Sequence, residues 1–139
     1  IVLRDQWNQG AKSYLGLGVS NFPNLFTITG PGSPSVLSNM MPSIEQHVNW
    51  IADCISWMID NDKSVIESSI AAEEEWMSLV NEIAGMTIFK STESWYNGSN
   101  IDSKAKAFLP FIGVPMYTEK LDEITENNYQ GFIFDVSNK

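Results

Sequence analysis

Residues 22–51 read FPNLFTITGPGSPSVLSNMMPSIEQHVNWI and decide the fold of this chain. The segment Leu25–Thr29 is short, apolar and rich in β-branched residues, which predicts a buried strand. The next six residues, Gly30–Ser35, are glycine, proline and serine only, so they continue neither a strand nor a helix. A helical pattern follows from about residue 40. The stretch therefore predicts a strand, a tight loop and a helix in direct succession.

The start of this helix is a candidate place for a ligand. In an open α/β sheet, ligands bind in the crevice beyond the carboxyl ends of the strands. A helix N-terminus at that crevice offers unpaired N–H groups and a positive dipole end to an anion. This predicts that the loop and the helix start hold part of a cofactor. The alternative is an ordinary βα turn packed in a core, and the residues of the turn leave it open.

The helix is expected to begin between Asn39 and Ser43, because Pro42 is tolerated only in a first turn. Ser43 with Gln46 also fits a capping box, which would start the helix at Ser43 instead. In either case, the polar run from Asp60 to Ser64 predicts its end.

Two apolar stripes run along this helix and predict that it is buried on two sides. The first is spaced by four and three residues and comprises Ile44, Val48, Ile51, Ile55 and Met58. The second lies beside it and comprises Trp50, Cys54 and Trp57. We interpret His47, at the edge of the second stripe, as a core or interface residue, because no Asp, Glu or second His stands at metal-ligand spacing. Cys54 is interpreted as a small buried hydrophobe rather than a nucleophile.

The rest of the chain alternates helical and extended patterns, which favours an α/β fold. A second helix is predicted over residues 65–84 with Gly85 as its stop, and Glu73–Glu75 is expected to be a solvated face. The later predictions are a long polar and aromatic loop over 89–100, an apolar strand over 107–113, a short helix over 117–127 and a closing strand over 129–136.

Composition excludes several classes of protein. The chain has 139 residues and is 43% apolar with five Trp and seven Phe, so it can build a real core. Its formal net charge of −9 argues against nucleic acid or an anionic membrane as a partner. The single Cys cannot form an internal disulfide, which suits the reducing cytoplasm. No apolar run approaches the roughly 20 residues of a membrane-spanning helix.

The chain carries no complete catalytic set. With one His and one Cys, nucleophile–base pairs are nearly excluded. The dinucleotide-binding Gly-x-Gly-x-x-Gly loop, the Walker loop, the His-Glu-x-x-His metal motif and the Gly-x-Ser-x-Gly elbow are all absent. We therefore assign no catalytic residue and no metal ligand within these residues.

Several collinear motifs resemble the C-terminal part of the Baeyer–Villiger monooxygenases, flavoproteins of the cyclohexanone and phenylacetone monooxygenase type. The motifs are GPGSPSVLSNMMPSIEQHV at residues 30–48, Tyr14-Leu-Gly-Leu with Phe22-Pro-Asn-Leu-Phe, Ser94-Trp95-Tyr-Asn-Gly-Ser-Asn100, and Tyr129-x-Gly-Phe. The GPGSPS form is more similar to the phenylacetone branch. Because the motifs extend from residue 14 to residue 132, the resemblance covers nearly the whole chain.

The resemblance implies an enzyme that binds FAD tightly and takes electrons from NADPH. Such an enzyme inserts one oxygen of O₂ next to a ketone carbonyl and yields an ester or a lactone. The resemblance places Asn39 and Met40 beside the flavin, with Met40 also beside the substrate pocket, and it implies that Trp95 packs against NADP and donates a hydrogen bond to it. The residues that it implies for the substrate pocket are Ser35, Val36 and Leu37. A helix dipole of about +0.5 charge beside the flavin would favour its anionic reduced form.

The family's two dinucleotide loops, its fingerprint and its catalytic Arg are absent here, and in the family they lie upstream. We therefore expect a C-terminal fragment of an α/β flavoprotein with two dinucleotide-binding domains. Residues 1–60 would contain the last strand of the FAD-binding domain, the pocket bulge and the flavin-facing helix. Residues 61–139 would form a C-terminal extension of helices and short strands with an NADP-contacting loop. Alone, such a fragment is expected to be inactive and to self-associate through exposed core faces.

Two other classes are weighed against this interpretation. A self-standing, non-catalytic α/β binding module derived from the flavoprotein tail would be monomeric, with its apolar faces covered. An N-hydroxylating or flavin-containing monooxygenase is disfavoured, because the GPGSPS and Ser-Trp segments resemble the Baeyer–Villiger type.

Overall fold

The computed structural model describes residues 1–34, 39–86, 111 and 113–135. A short helix and a 3-10 turn come first, at Leu3–Gln6 (α1) and Trp7–Gln9. The regular elements that follow are α2 (Met40–Asp60), β1 (Ile66–Ser68), α3 (Ile70–Gly85), α4 (Val114–Glu126) and β2 (Phe132–Phe134). The strands β1 and β2 form a two-stranded antiparallel sheet in which Glu67 pairs with Ile133.

Helix α2 begins inside the predicted window. Asn39 is its N-cap, and the side-chain oxygen accepts a hydrogen bond from the Met41 N–H at 3.1 Å. Pro42 therefore falls in the first turn, where its missing N–H leaves no bond unmade. The alternative start at Ser43 is wrong, because Ser43 lies inside the helix and is buried.

The predicted buried strand over Leu25–Thr29 is wrong. Phe26 forms a single antiparallel bridge with Gly18, and Ile28 is 48% exposed. Thr29 has a φ of 53°, in the left-handed region that a regular strand does not contain. The partner of this segment is a tight turn, which is too short to extend a ladder of hydrogen bonds.

The predicted helix over residues 65–84 starts too early. Ile66–Ser68 forms β1 instead, because its partner strand β2 lies near the end of the chain, where no local pattern shows it. Ser69 then caps α3 by accepting a hydrogen bond from the Ala72 N–H at 3.2 Å. Gly85 is the last residue of α3, so the predicted stop is confirmed.

Glu73, expected on a solvated face, is buried at 4% exposure. Its two carboxylate oxygens accept hydrogen bonds from the Ser20 backbone N–H at 2.8 Å and from the Ser20 hydroxyl at 3.0 Å. A buried carboxylate needs such donors, because desolvation without them is costly. Glu73 therefore attaches the loop before residue 22 to the first turn of α3.

One core joins residues of α2, α3, α4, both strands and the loop around residues 14–17. Its large side chains include Tyr14, Trp50, Trp76, Phe111, Tyr117 and Tyr129. Trp50 and Cys54 lie in it and Trp57 is partly buried against it, so the second predicted stripe of α2 faces the core as expected. The first stripe is wrong at Val48 and Ile55, which are 46% and 43% exposed, while its Met58 is buried and its Ile51 packs against the core.

The predicted helix over residues 117–127 is confirmed as α4, although α4 begins earlier, at Val114, and its Leu121 and Ile124 are buried in the core. The closing strand is shorter than predicted and covers only β2. The predicted loop over 89–100 and most of the predicted strand over 107–113 lie outside the described residues. Among the helices that the structure describes, none is long and apolar enough to cross a membrane.

Candidate functional site

The Gly30–Pro34 loop is held by hydrogen bonds to four successive backbone carbonyl groups, those of residues 30 to 33. The Ser33 amide and hydroxyl donate to the Gly30 carbonyl, and the Ser13 hydroxyl donates to the Pro31 carbonyl. The Trp76 indole N–H donates to the Gly32 carbonyl, and the Phe111 amide donates to the Ser33 carbonyl. The donor–acceptor distances are 2.5–3.1 Å. Paired buried carbonyls leave a loop little freedom to move. The loop that follows the Phe26 bridge is therefore fixed from several sides.

Two glycines allow the loop to come this close to its neighbours. Gly32 has a φ of +83°, and a Cβ built on it would lie 2.8 Å from Trp76 Nε1. Gly16 has a φ of +76°, and a Cβ built there would lie 2.4 Å from the Cβ of Ser33. Both positions combine a left-handed backbone with a close approach, which only glycine accommodates without strain.

His47 lies beneath this loop and is hydrogen-bonded through both of its ring nitrogens. The Thr29 N–H donates to His47 Nδ1 at 2.9 Å, and His47 Nε2 lies 2.6 Å from the Tyr117 hydroxyl. That hydroxyl donates to the Leu15 carbonyl at 2.7 Å. Because Nδ1 accepts a hydrogen bond, the neutral ring carries its proton on Nε2 and donates it to Tyr117. His47, Tyr117 and Leu15 are fully buried.

Burial sets the protonation of these groups. Desolvation lowers the pKa of His47 to about 4 and raises the pKa of Tyr117 above its usual range. It also raises the pKa of the Cys54 thiol to about 12. The three groups are therefore neutral at pH 7, and the interpretation of His47 as a core residue and of Cys54 as a buried hydrophobe is confirmed.

A groove of about 530 Å³ opens where the N-terminal turns of α2 and α4 meet. Its lining residues are Asn39, Pro42, Ser43, Gln46, Val114 and Thr118. Gln46 Nε2 donates to Thr118 Oγ1 at 3.0 Å and ties the two helices together. The partial positive charges of two helix N-termini therefore lie at one groove, which favours an anionic or electron-rich ligand.

What the groove offers a ligand is binding and orientation. The Met40 N–H is at the first helical position and has no partner within the helix, whereas the Met41 N–H is already capped by Asn39. Among the described ranges, no group of three His, Cys, Asp or Glu residues is placed to hold a metal ion. His47 and Cys54 are kept out of proton transfer at neutral pH by their burial.

The predicted site residues divide into two sets. Asn39 lies on the groove and the half-buried Met40 follows it. The other predicted site residues lie outside the described residues, and they are Ser35, Val36, Leu37 and Trp95.

Sequence reasoning missed Gln46 and Thr118 as groove residues. The spacing of Asn39, Pro42 and Gln46 does place them on one face of a helix, which is a signal that periodicity carries. Thr118 lies 72 residues beyond Gln46 in the chain, and no local pattern connects the two.

Proteins of known name align with nearly the whole chain. Phenazine N-monooxygenase PhzNO1 of Lysobacter antibioticus is 39% identical over 132 residues, which are 94% of this chain and 24% of that protein. A Baeyer–Villiger monooxygenase of Pseudooceanicola batsensis is 37% identical over 136 residues, which are 97% of this chain and 25% of that protein. A scan against models of protein families finds no match.

Solved structures agree with the sequence relatives. Cyclohexanone monooxygenase from Rhodococcus sp. Phi1, bound to NADP⁺, superposes with a TM-score of 0.91 at 34% identity, over 97% of this chain and 25% of that one. The chain is related to the Baeyer–Villiger monooxygenases. A second structure, the OTEMO complex with FAD and NADP, superposes with a TM-score of 0.87 at 30% identity, over 96% of this chain and 24% of that one.

The chain spans about a quarter of the length of the Baeyer–Villiger monooxygenases and of the N-monooxygenase that it matches. The resemblance stated from the motifs is confirmed, and so is the fold class, a piece of an α/β flavoprotein. Stretches similar to this chain occur in an enzyme named for Baeyer–Villiger oxidation and in one named for N-oxidation. The comparison therefore does not exclude the N-oxidising class that the motifs disfavour.

Proposed function

We propose that this chain is the C-terminal part of a FAD- and NADPH-dependent Baeyer–Villiger monooxygenase of the cytoplasm. The enzyme inserts one oxygen of O₂ next to a ketone carbonyl and releases an ester or a lactone. The supporting observation is the TM-score of 0.91 to cyclohexanone monooxygenase over almost the entire chain. In this proposal, residues 1–60 end the FAD-binding domain, and residues 61–139 form an extension that contacts NADP.

The start of α2 fits a bound flavin. When bound, FAD would supply the electrons that activate O₂, and O₂ itself is the source of the oxygen atom that is transferred. Asn39 and Met40 would lie beside it, because the Met40 N–H is unpaired within the helix and the N-terminal turns of two helices line the groove. These residues hold and orient the cofactor, and they stabilise negative charge on it through the helix dipole.

Two further roles, assigned to four residues, complete the proposal, and they rest on the resemblance of the motifs. Ser35, Val36 and Leu37 line the substrate pocket. Trp95 packs against NADP and donates an indole hydrogen bond to it, which suits an aromatic ring with one polar atom.

The test uses the longer protein that contains this chain. A yellow protein whose NADPH consumption is stimulated by phenylacetone or cyclohexanone, with the ester or lactone as product, supports the proposal. Trp95→Ala is then expected to raise the KM for NADPH, and Met40→Gly to alter ketone selectivity at similar NADPH affinity. A colourless protein that is indifferent to ketones contradicts the proposal and leaves the non-catalytic binding module.

N-oxidation is the second candidate, because the relative with 39% identity is named for it. It uses the same two cofactors but transfers oxygen to a nucleophilic nitrogen instead of a carbonyl carbon. Offering the longer protein phenazine and phenylacetone in parallel separates the two reactions by product. An N-oxide with no ester or lactone would select this second candidate.

The exposed aliphatic face of α2 is a candidate contact surface. Its residues Val48, Ile55 and Ile59 are 46%, 43% and 69% exposed. We propose that the rest of a longer polypeptide covers this face, and that the chain expressed alone self-associates through it. Sedimentation of the chain and of its Ile55→Lys/Ile59→Lys variant tests this. A chain that is monomeric without the two changes would favour the self-standing module.

A further inference from the structure

We propose that His47 is a positioning residue, which holds Thr29 and thereby sets where the Gly30–Pro34 loop enters the site at the start of α2. This inference rests on the proposed function, because the residues assigned to the substrate pocket follow this loop directly in the sequence. His47 acts through the backbone of Thr29 and touches no reacting atom.

The contact lies where the chain changes direction. Thr29 has a left-handed φ of 53° and is the last residue before the Gly30–Pro34 loop. Its N–H donates to His47 Nδ1 at 2.9 Å. The same helix that carries His47 also begins at Met40. One helix therefore holds the residue before the loop and also carries the residue at which the backbone turns helical again. The Gly30 N–H is held separately, since it donates to the Gly16 carbonyl at 3.1 Å.

The hydrogen bonds of His47 fix one ring nitrogen as an acceptor and the other as a donor. Thr29 requires an acceptor at the Nδ1 position, while Tyr117 passes its own proton to the Leu15 carbonyl and therefore accepts from Nε2. A side chain in place of His47 must offer an acceptor on one side and a donor on the other. His47 and Tyr117 are fully buried, so water cannot replace the contact between them, whereas the contact with Thr29 is partly buried.

The rest of the loop does not depend on His47. Its carbonyls at residues 30 to 33 are held by Ser13, Ser33, Trp76 and Phe111. Loss of the Thr29 contact is therefore expected to release the entry of the loop without unfolding it. The effect should appear in the site rather than in the overall fold.

Two variants of His47 each remove one of its two hydrogen bonds and keep the other. His47→Asn keeps an oxygen near the Nδ1 position and loses the contact with Tyr117, whereas His47→Gln keeps a donor near Nε2 and loses the acceptor for Thr29. Tyr117→Phe is the matched control, because it destabilises the same buried network and leaves the Thr29 bond intact. Asn49→Ala, an exposed polar position on the same helix, controls for substitution in α2.

The experiment is carried out on the longer holoenzyme with two readouts. Hydrogen exchange of the peptide that contains Thr29–Pro34 is expected to be about tenfold faster in His47→Gln and close to the parent in His47→Asn and Tyr117→Phe. The KM for ketone is expected to rise about tenfold in His47→Gln alone, as for the loss of one buried hydrogen bond. Flavin reduction by NADPH should stay unchanged in all four variants.

Each result has a distinct meaning. Unchanged exchange in His47→Gln overturns the inference, whether or not the protein oxidises ketones. Equal KM increases in His47→Gln and Tyr117→Phe would reduce His47 to a structural residue and also overturn it. A parent protein without flavin or NADPH oxidation contradicts the proposed function, while the exchange readout still decides the positioning role.

Discussion

The two long faces of α2 differ in composition and in what covers them. The inner face carries Ser43, His47, Trp50, Cys54 and Met58, and all five are buried. The outer face carries Ile44, Val48, Ile51, Ile55 and Ile59, of which Val48, Ile55 and Ile59 are exposed. The outer face is the more aliphatic one, so apolarity alone would have buried it first.

The inner face is buried because its polar atoms find partners. Trp50 Nε1 donates to Thr125 Oγ1 at 2.9 Å, and its ring meets Tyr129 edge-on at 5.2 Å. His47 is paired on both ring nitrogens. Large amphipathic side chains enter a core when their polar tips are satisfied. The comparison teaches that complementary partners on α4 and near the C-terminal strand select the buried face.

The largest expected effect on this comparison comes from Trp50→Ala. The change removes a buried ring, its hydrogen bond and its aromatic contacts, and it should lower the free energy of unfolding by about 3–5 kcal/mol. Urea denaturation of the monomeric chain at low protein concentration measures it, with Ile55→Ala as the outer-face control at less than about 1 kcal/mol. Equal losses for the two variants would show that the faces do not differ.

The pH dependence of stability tests the burial of His47. Its pKa falls from 6.5 to about 4 in the fold, so the unfolded chain binds the proton first as the pH is lowered. The free energy of unfolding should therefore fall by about 3 kcal/mol between pH 6.5 and 4, in addition to any effect of carboxylates. The His47→Asn variant has no imidazole to titrate, so its free energy of unfolding should change less between these two pH values. Parallel curves for the two proteins would contradict the buried neutral ring.

The rate at which the Cys54 thiol reacts measures how readily the inner face of α2 opens to solvent. Its side chain is fully buried and its thiol pKa is raised to about 12, so little thiolate is present or accessible at pH 8. Labelling with a disulfide reagent should be at least about 100-fold slower in the native chain than in urea. Rapid native labelling would show that the inner face opens readily.

The smallest effect is expected on the outer face. Ile59→Lys changes a side chain that is 69% exposed, and the free energy of unfolding of the monomeric chain should shift by no more than about 0.5 kcal/mol. Thermal unfolding at low protein concentration measures it. A loss of several kcal/mol would mean that other residues of the chain already cover this face.

Local patterns predicted some elements of this fold well and others poorly. The start of α2 followed from Pro42, and the end of α3 followed from Gly85, because each depends on the backbone chemistry of one residue. The strand β1 was missed, since three residues become a strand only when β2 pairs with them. The strand over residues 25–29 was predicted wrongly for the converse reason, because its partner is a short turn.

The candidate site shows the same division. Asn39 and Met40 were predicted from motifs and from the expected helix start, and they lie at the start of α2. The place of His47 beneath Thr29 was not predicted, because the bond joins a side chain to a backbone amide in a left-handed residue. The groove depends on Thr118 of a distant helix, which no spacing in the sequence points to.

The sequence by itself determined the relationship to the Baeyer–Villiger monooxygenases, through collinear motifs, and the approximate extent of α2 and α4. Motifs and helix ends are written in contiguous residues, so they need no knowledge of distant neighbours. Only the tertiary structure decided which face of α2 is buried, which protons His47 and Tyr117 carry, and which residues share a groove. These outcomes depend on contacts between residues far apart in the chain, because burial and hydrogen-bond pairing are properties of neighbours in space.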